Sequence, residues 1–158
     1  MLMNRYIFLI LVVIMGMTAC DSPTSKISHM VDPLSGPEVK RVHDPKLVLQ
    51  GESVFRKHCA RCHGQRGEGA PDWRRRDENG LYPPPPLNGT GHAWHHSKEW
   101  LKEMILNGSK PRGRMPAWRG KLSDQEVNAV IEWFQSRWPD PVYAAWYENQ
   151  ERARGLKE

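Results

Sequence analysis

Five consecutive residues, Cys59-Ala60-Arg61-Cys62-His63, constrain this chain more than any other feature. Two thiols three residues apart, at the end of a helix, can reach the two vinyl groups of one porphyrin and close a thioether to each. The next residue, His63, then offers its imidazole to the iron from the same face. Two other chemistries use related spacings. A thioredoxin-like redox pair places Cys-x-x-Cys in a strand–helix unit with an aromatic lead-in, whereas the lead-in here is patterned as an amphipathic helix. A structural zinc site wants four ligands; Cys59, Cys62 and His63 supply three, and no cysteine follows them. The pentapeptide predicts one covalently attached haem c.

The chain holds three cysteines in 158 residues. An odd number in so short a chain is not a disulfide framework. The length allows one domain plus appendages. Thirteen prolines, thirteen glycines and 39% hydrophobic residues suit a loop-rich globular domain and exclude a fully disordered chain.

The third cysteine, Cys20, closes a distinct leader. In residues 1–19 the only charge is Arg5, and Tyr6 to Ala19 is an apolar run broken by Gly16 and Thr18. A positive start, a short apolar stretch and small residues at its end describe a secretory signal. The run is shorter than the ~20 residues a spanning helix needs; an uncleaved signal anchor is the alternative. Met17-Thr18-Ala19-Cys20 resembles the bacterial lipobox, with Met17 where leucine is usual. That resemblance implies cleavage before Cys20 and lipid on its thiol. Asp21 resembles an inner-membrane retention signal, a resemblance that implies a lipid-anchored chain on the periplasmic side of the inner membrane. Left unmodified, Cys20 would be a free thiol in an oxidising compartment. Residues 20–43 then read as a flexible tether: polar, without apolar periodicity, and carrying Pro23, Pro33, Pro37 and several serines. His29 and His43 are expected to face solvent.

From Asp44 the pattern changes. Asp44 can cap a helix with Pro45 at its first position, and Leu47, Val48, Gly51, Val54 and Phe55 recur on one face. A glycine inside a helix costs about 1 kcal/mol against alanine, which makes sense where another helix crosses closely. Ser123-Asp124-Gln125-Glu126 is a capping box with Leu122 and Val127 at the staple positions. Val127, Val130, Ile131 and Phe134 form the face of the helix it starts, with Trp133 beside them; Pro139 stops it. A third helix runs from Ser97 to Gly108 with Trp100, Leu101, Met104 and Ile105 on its apolar face.

With these helices around the Cys-His motif, residues 44–138 resemble a class I cytochrome c. The fold this implies is all-α, three to four short helices around one haem with long loops. Gly51 and Phe55 against Trp133 match the family's crossing of its first and last helices. Gly113-Arg114-Met115-Pro116 resembles the family's distal loop, which makes Met115 the second iron ligand. Met115 also lacks an obvious core to fill in a Gly/Pro-rich polar loop, whereas its rival Met104 fits a helix face. Pro85-Pro86-Leu87-Asn88-Gly89 resembles the segment whose proline carbonyl accepts the proton of the ligand histidine, so Pro85 is paired with His63. The run Pro83 to Pro86 leaves that register open and also reads as a stiff connector.

Gly91-His92-Ala93-Trp94-His95-His96 reads as a propionate contact: one or two of His92, Trp94 and His95 are expected to hydrogen-bond the haem propionates, with His96 in solvent. A second metal at the three histidines is the alternative. His58 is read as structural. Residues 139–158 extend past the family domain, and Val142, Ala145 and Trp146 suit a short packed helix.

The formal charge of +5 falls to +4 once Arg5 leaves with the leader. Lys110, Arg112, Arg114, Arg119 and Lys121 surround Met115 without an acidic residue among them, which suits docking of an acidic redox partner. A solvated loop is the plain alternative. No nucleic-acid motif accompanies the arginines. The function implied is electron transfer by a membrane-anchored mono-haem carrier that is not itself an enzyme. The alternatives are a haem catalyst or sensor with an openable sixth site, and the cytochrome subunit of a larger respiratory oxidoreductase.

Overall fold

Asp44 opens the first helix in the computed structural model, which describes Val39 and residues 41–155. The leader 1–19, Cys20 and most of the tether lie outside the described residues. The Asp44 carboxylate accepts from the Lys46 amide at 2.9 Å, and Pro45 takes the first turn of α1 (Pro45–His58). A single helical turn, α2 (Ala60–His63), follows at once and carries the Cys-His motif. A 3-10 turn at Ala93–His95 precedes α3 (Lys98–Asn107), which Ser97 caps through the Trp100 amide and Gly108 ends at φ 77°. The capping box forms as expected. Ser123 accepts from the Glu126 amide and Glu126 reaches back to the Ser123 amide, starting α4 (Asp124–Ser136). A last helix, α5, spans Asp140–Gly155. The described residues form no strand, only isolated bridges at Tyr82–Gly113 and Arg119–Leu122.

The core lies where α1 crosses α4. Gly51 marks the crossing: a Cβ there would sit 2.0 Å from the Ala129 carbonyl oxygen and 2.8 Å from the Trp133 Cβ. One turn later the Phe55 and Trp133 rings meet with centroids 4.1 Å apart. Val127, Val130, Ile131 and Phe134 are all buried around them. On α3 the buried residues are Leu101 and Leu106, and Trp100 stays 41% exposed instead of facing the core.

The chain beyond α4 is bound closely to the domain. Trp138 is buried and donates its indole N–H to the Leu87 carbonyl at 2.8 Å. On α5, Tyr143, Trp146 and Gln150 are buried at the i, i+3, i+7 spacing of one helix face. Trp146 donates to the His96 carbonyl at 3.1 Å, and the Gln150 side-chain oxygen accepts from the Lys98 amide at 2.8 Å, capping α3 from another helix.

His43 corrects the sequence reading. It does not face solvent: its Nδ1 lies 2.6 Å from Glu132 Oε1, and its ring meets Tyr143 edge-on at 5.4 Å. Arg41 donates to the Trp138 carbonyl and lies 2.9 Å from Asp140 Oδ1, a charge contact rather than an aligned hydrogen bond. Tether-like composition therefore stops before Arg41. Arg41 and His43 reach α4, α5 and the link between them through polar contacts that no local pattern reveals.

Candidate haem-binding site

Cys59 ends α1 and caps α2, so the motif begins at a change of helix axis. Residues i, i+3 and i+4 share a helical face, which puts Cys59, Cys62 and His63 on one side of the turn. Both cysteines are unpaired; Cys59 is half-buried and Cys62 exposed. Burial first, and the neighbouring Cys62 second, push the Cys59 thiol up to about 11. The nucleophilic thiol of a redox-active Cys-x-x-Cys pair is instead held below the ordinary value. A protonated thiol beside a buried imidazole fits thioether attachment to a porphyrin.

His63 is buried, and its Nδ1 lies 2.9 Å from the Pro85 carbonyl oxygen. A carbonyl only accepts, so Nδ1 carries the proton and Nε2 keeps its lone pair. Burial lowers the imidazole's pKa, and the Pro85 hydrogen bond opposes that only in part, so the ring is neutral at physiological pH. A neutral imidazole with Nδ1–H committed to a backbone carbonyl is the usual form of a metal-ligating histidine.

The register of the proline run is set by the loop beside it. Ala70 donates to the Pro84 carbonyl at 2.9 Å, and the amides of Leu87 and Asn88 both donate to Gly67, at 2.7 and 3.2 Å. Gly69, at φ +68°, lets this pairing close, since a Cβ there would lie 2.4 Å from the Pro86 nitrogen. Gly69 also donates to the His63 carbonyl at 2.7 Å, which fastens α2 to the same loop. Pro85 is thus the proline presented to His63.

Met115 lies half-buried in a loop that returns to the end of α3. Its amide donates to Ser109 Oγ at 3.0 Å, and its carbonyl accepts from the Ser109 amide at 3.1 Å. Farther along, the Trp118 ring meets His58 edge-on at 5.1 Å, which ties this loop to the residue preceding Cys59. Met104, the other methionine considered, is half-buried midway along α3.

The basic cluster around Met115 is smaller in space than in sequence. Arg114 pairs with Asp77 at 2.7 Å, and Arg119 pairs with Glu103 at 3.0 Å. Among the described residues Lys110, Arg112 and Lys121 remain without an ion pair. Lys110 and Lys121 line, with Met115, a cleft of about 470 Å³.

One aromatic expectation changes. Trp94 donates its indole N–H to the Gly91 carbonyl at 3.1 Å. His96 is not in solvent: it stacks on Trp100 with centroids 3.6 Å apart, and its pKa is lowered by burial and then by His92. His92 stacks on Trp73 and meets His96 edge-on at 5.5 Å, and burial likewise lowers its pKa. Among the described residues no group of three or more His, Cys, Asp or Glu side chains is placed to hold a metal ion. Sequence reasoning missed the residues that support the candidate ligands His63 and Met115 and the loops carrying them: Asp77, Tyr82, Ser109 and Trp138. Only the Asn79-Gly80 turn signal points toward the first two.

An all-α fold wrapped around a Cys-x-x-Cys-His turn, its histidine oriented by a proline carbonyl, is that of a class I c-type cytochrome. Residues 46–134 match the family described as cytochrome C oxidase, cbb3-type, subunit III, and the chain belongs to it. It is 31% identical over 87 residues to the cbb3-type cytochrome c oxidase subunit CcoP of Azospirillum sp. (strain B510), covering 55% of this chain and 27% of that protein. It is 28% identical over 112 residues to the subunit FixP of Bradyrhizobium sp. (strain ORS 278), covering 70% of this chain and 33% of that one. The chain therefore spans about a quarter to a third of the length of these relatives. No solved structure matches it. Among the described residues no helix is long and apolar enough to cross a membrane.

Proposed function

We propose that this chain is a single-haem electron carrier, held by lipid on Cys20 at the periplasmic face of a bacterial inner membrane, with His63 and Met115 as the two iron ligands. Haem c, when bound, supplies an iron centre that takes up and releases one electron. Cys59 and Cys62 hold the macrocycle by thioethers. The observation that carries the reading is His63: buried, neutral, with its Nδ1 proton on the Pro85 carbonyl and Nε2 left for the metal. The Pro85 bond fixes the ring and raises its basicity as a ligand. Met115 fills the remaining position, which favours electron transfer over binding of a substrate.

A second reading, the cytochrome subunit of a respiratory oxidase, is favoured by the family match. Isolation from detergent-solubilised membranes addresses both. The expected product is one haem per chain that survives denaturation, with slow carbon monoxide binding to the reduced form. Fast binding would sink the carrier reading in favour of a catalyst or sensor, and copurifying oxidase subunits would establish the complex.

Lys110, Arg112 and Lys121 are the docking charges for an acidic redox partner. Oxidation of the reduced protein by ferricyanide is expected to slow about fivefold between low and physiological salt. Lys110→Glu with Lys121→Glu is expected to flatten that dependence. A rate indifferent to salt in the unmodified protein counts against docking through these residues.

A further inference from the structure

Residues 109–115 form an arc that closes on itself. The amides of Arg112 and Gly113 donate to the Ser109 carbonyl at 2.9 and 3.0 Å, and Met115 returns to Ser109 through both its amide and its carbonyl. The outer part of the arc is held by a different loop. Tyr82 donates its amide to the Arg112 carbonyl at 3.0 Å and bridges to Gly113. Asp77 meets Arg114 at 2.7 Å. The three residues before Met115 are thus each gripped by the segment 77–82.

Asp77 is built for this. Its Oδ1 accepts from the Asn79 and Leu81 amides at 2.9 and 3.0 Å, and its own amide donates to the Leu81 carbonyl at 2.9 Å. The carboxylate is therefore fixed by its own turn, and Oδ2 is left to face Arg114. Those backbone donors, the Leu81 amide foremost, with Arg114 adding to them, hold its pKa below the usual carboxylate value. The same strand of chain then runs on into Pro83–Pro86 and delivers the Pro85 carbonyl to His63. One segment supports both sides of the site.

We propose that Asp77 is a positioning residue for Met115: through Arg114 it holds the arc closed and keeps the thioether at the iron. The proposal rests on Met115 being the ligand. The Asp77–Arg114 pair is partly exposed, at 26% and 60% of the two side chains. Its energy is that of a surface pair, too small to decide the fold but enough to change how often the arc opens.

The test is cyanide binding to the oxidised holoprotein, a rate limited by departure of the sulfur. Asp77→Asn and Arg114→Gln are each expected to raise that rate about fivefold. The double variant is expected to match either single one, as it must if both act through one contact. Denaturant midpoints read by helix signal should stay together across the set. Rates equal to the unmodified protein overturn the proposal, as do additive effects or midpoints that fall in step with the rate. Met115→Ala is carried alongside. If that variant keeps the sulfur–iron absorption band, the ligand assignment itself fails, and this is distinguishable from failure of the brace.

Discussion

Replacing Gly51 with alanine is expected to destabilise the protein by about 2–4 kcal/mol, although alanine is the better helix former. Two effects oppose each other at this position. Helix propensity favours alanine by about 1 kcal/mol. Against it, the new Cβ would lie 2.0 Å from the Ala129 carbonyl oxygen and 2.5 Å from its carbon. Both are backbone atoms of α4 and cannot step aside by changing rotamer. Relief requires α1 and α4 to part by an ångström or more. That loosens the Phe55–Trp133 contact and the buried row from Val127 to Phe134. Overpacking a close-packed core typically costs 1–3 kcal/mol, and more where the clash is with backbone. Guanidinium denaturation of the holoprotein measures the difference. A rise in stability of about 1 kcal/mol, the propensity gain alone, would show that the helices do not cross here. Gly51 and Trp133 also set the angle at which α1 delivers Cys59, so the variant is expected to accumulate less covalently attached haem.

The helices were legible because their ends are local. Asp44 with Pro45, Ser97 with Gly108, and the Ser123–Glu126 box each act within four residues, and each forms as the sequence predicts. The Gly51 crossing was legible for a related reason: a glycine on an apolar helical face has no local purpose, so its purpose is a neighbour. The His63–Pro85 contact came from family resemblance rather than residue chemistry. Four consecutive prolines offer four carbonyls, and only the pairing of Ala70 with Pro84 and of Gly67 with Leu87 selects one.

What sequence did not reveal is held together by pairs distant along the chain. His43 and Glu132 are 89 residues apart, and composition alone assigned His43 to a tether. Asp77 and Glu103 lie outside the basic cluster in sequence and inside it in space, where they neutralise Arg114 and Arg119. Counting charge along the chain therefore overstated the positive surface by two residues out of five. Trp94 was read with His92 and His95 as a propionate contact, one or two of the three being expected to make it. The Trp94 indole N–H also meets the Gly91 carbonyl three residues back, a local bond that a 3-10 turn makes available and that the sequence reading did not foresee.

Met115→Ala is expected to have the largest effect on function. The unmodified protein should show the weak sulfur–iron absorption band at the red end of the oxidised spectrum, and the variant should lack it. The thioether is a soft, neutral donor that prefers the lower oxidation state, so its loss should lower the reduction potential. Each tenfold preference of the sulfur for reduced over oxidised iron is worth about 59 mV for one electron. A preference of roughly a hundredfold corresponds to a drop of about 120 mV. The fold should tolerate the change. Met115 is only half-buried, and the bonds that shape its loop use the backbone atoms of residue 115, which alanine keeps. The vacated position should bind carbon monoxide rapidly in the reduced form, giving a third readout independent of the potential. Met104→Ala is the matched control, since it removes a thioether from a helix face and leaves the loop intact. If Met104→Ala abolishes the band while Met115→Ala preserves it, the helix and not the loop supplies the sulfur, and the support built by Ser109, Tyr82 and Asp77 would then serve the loop's shape alone.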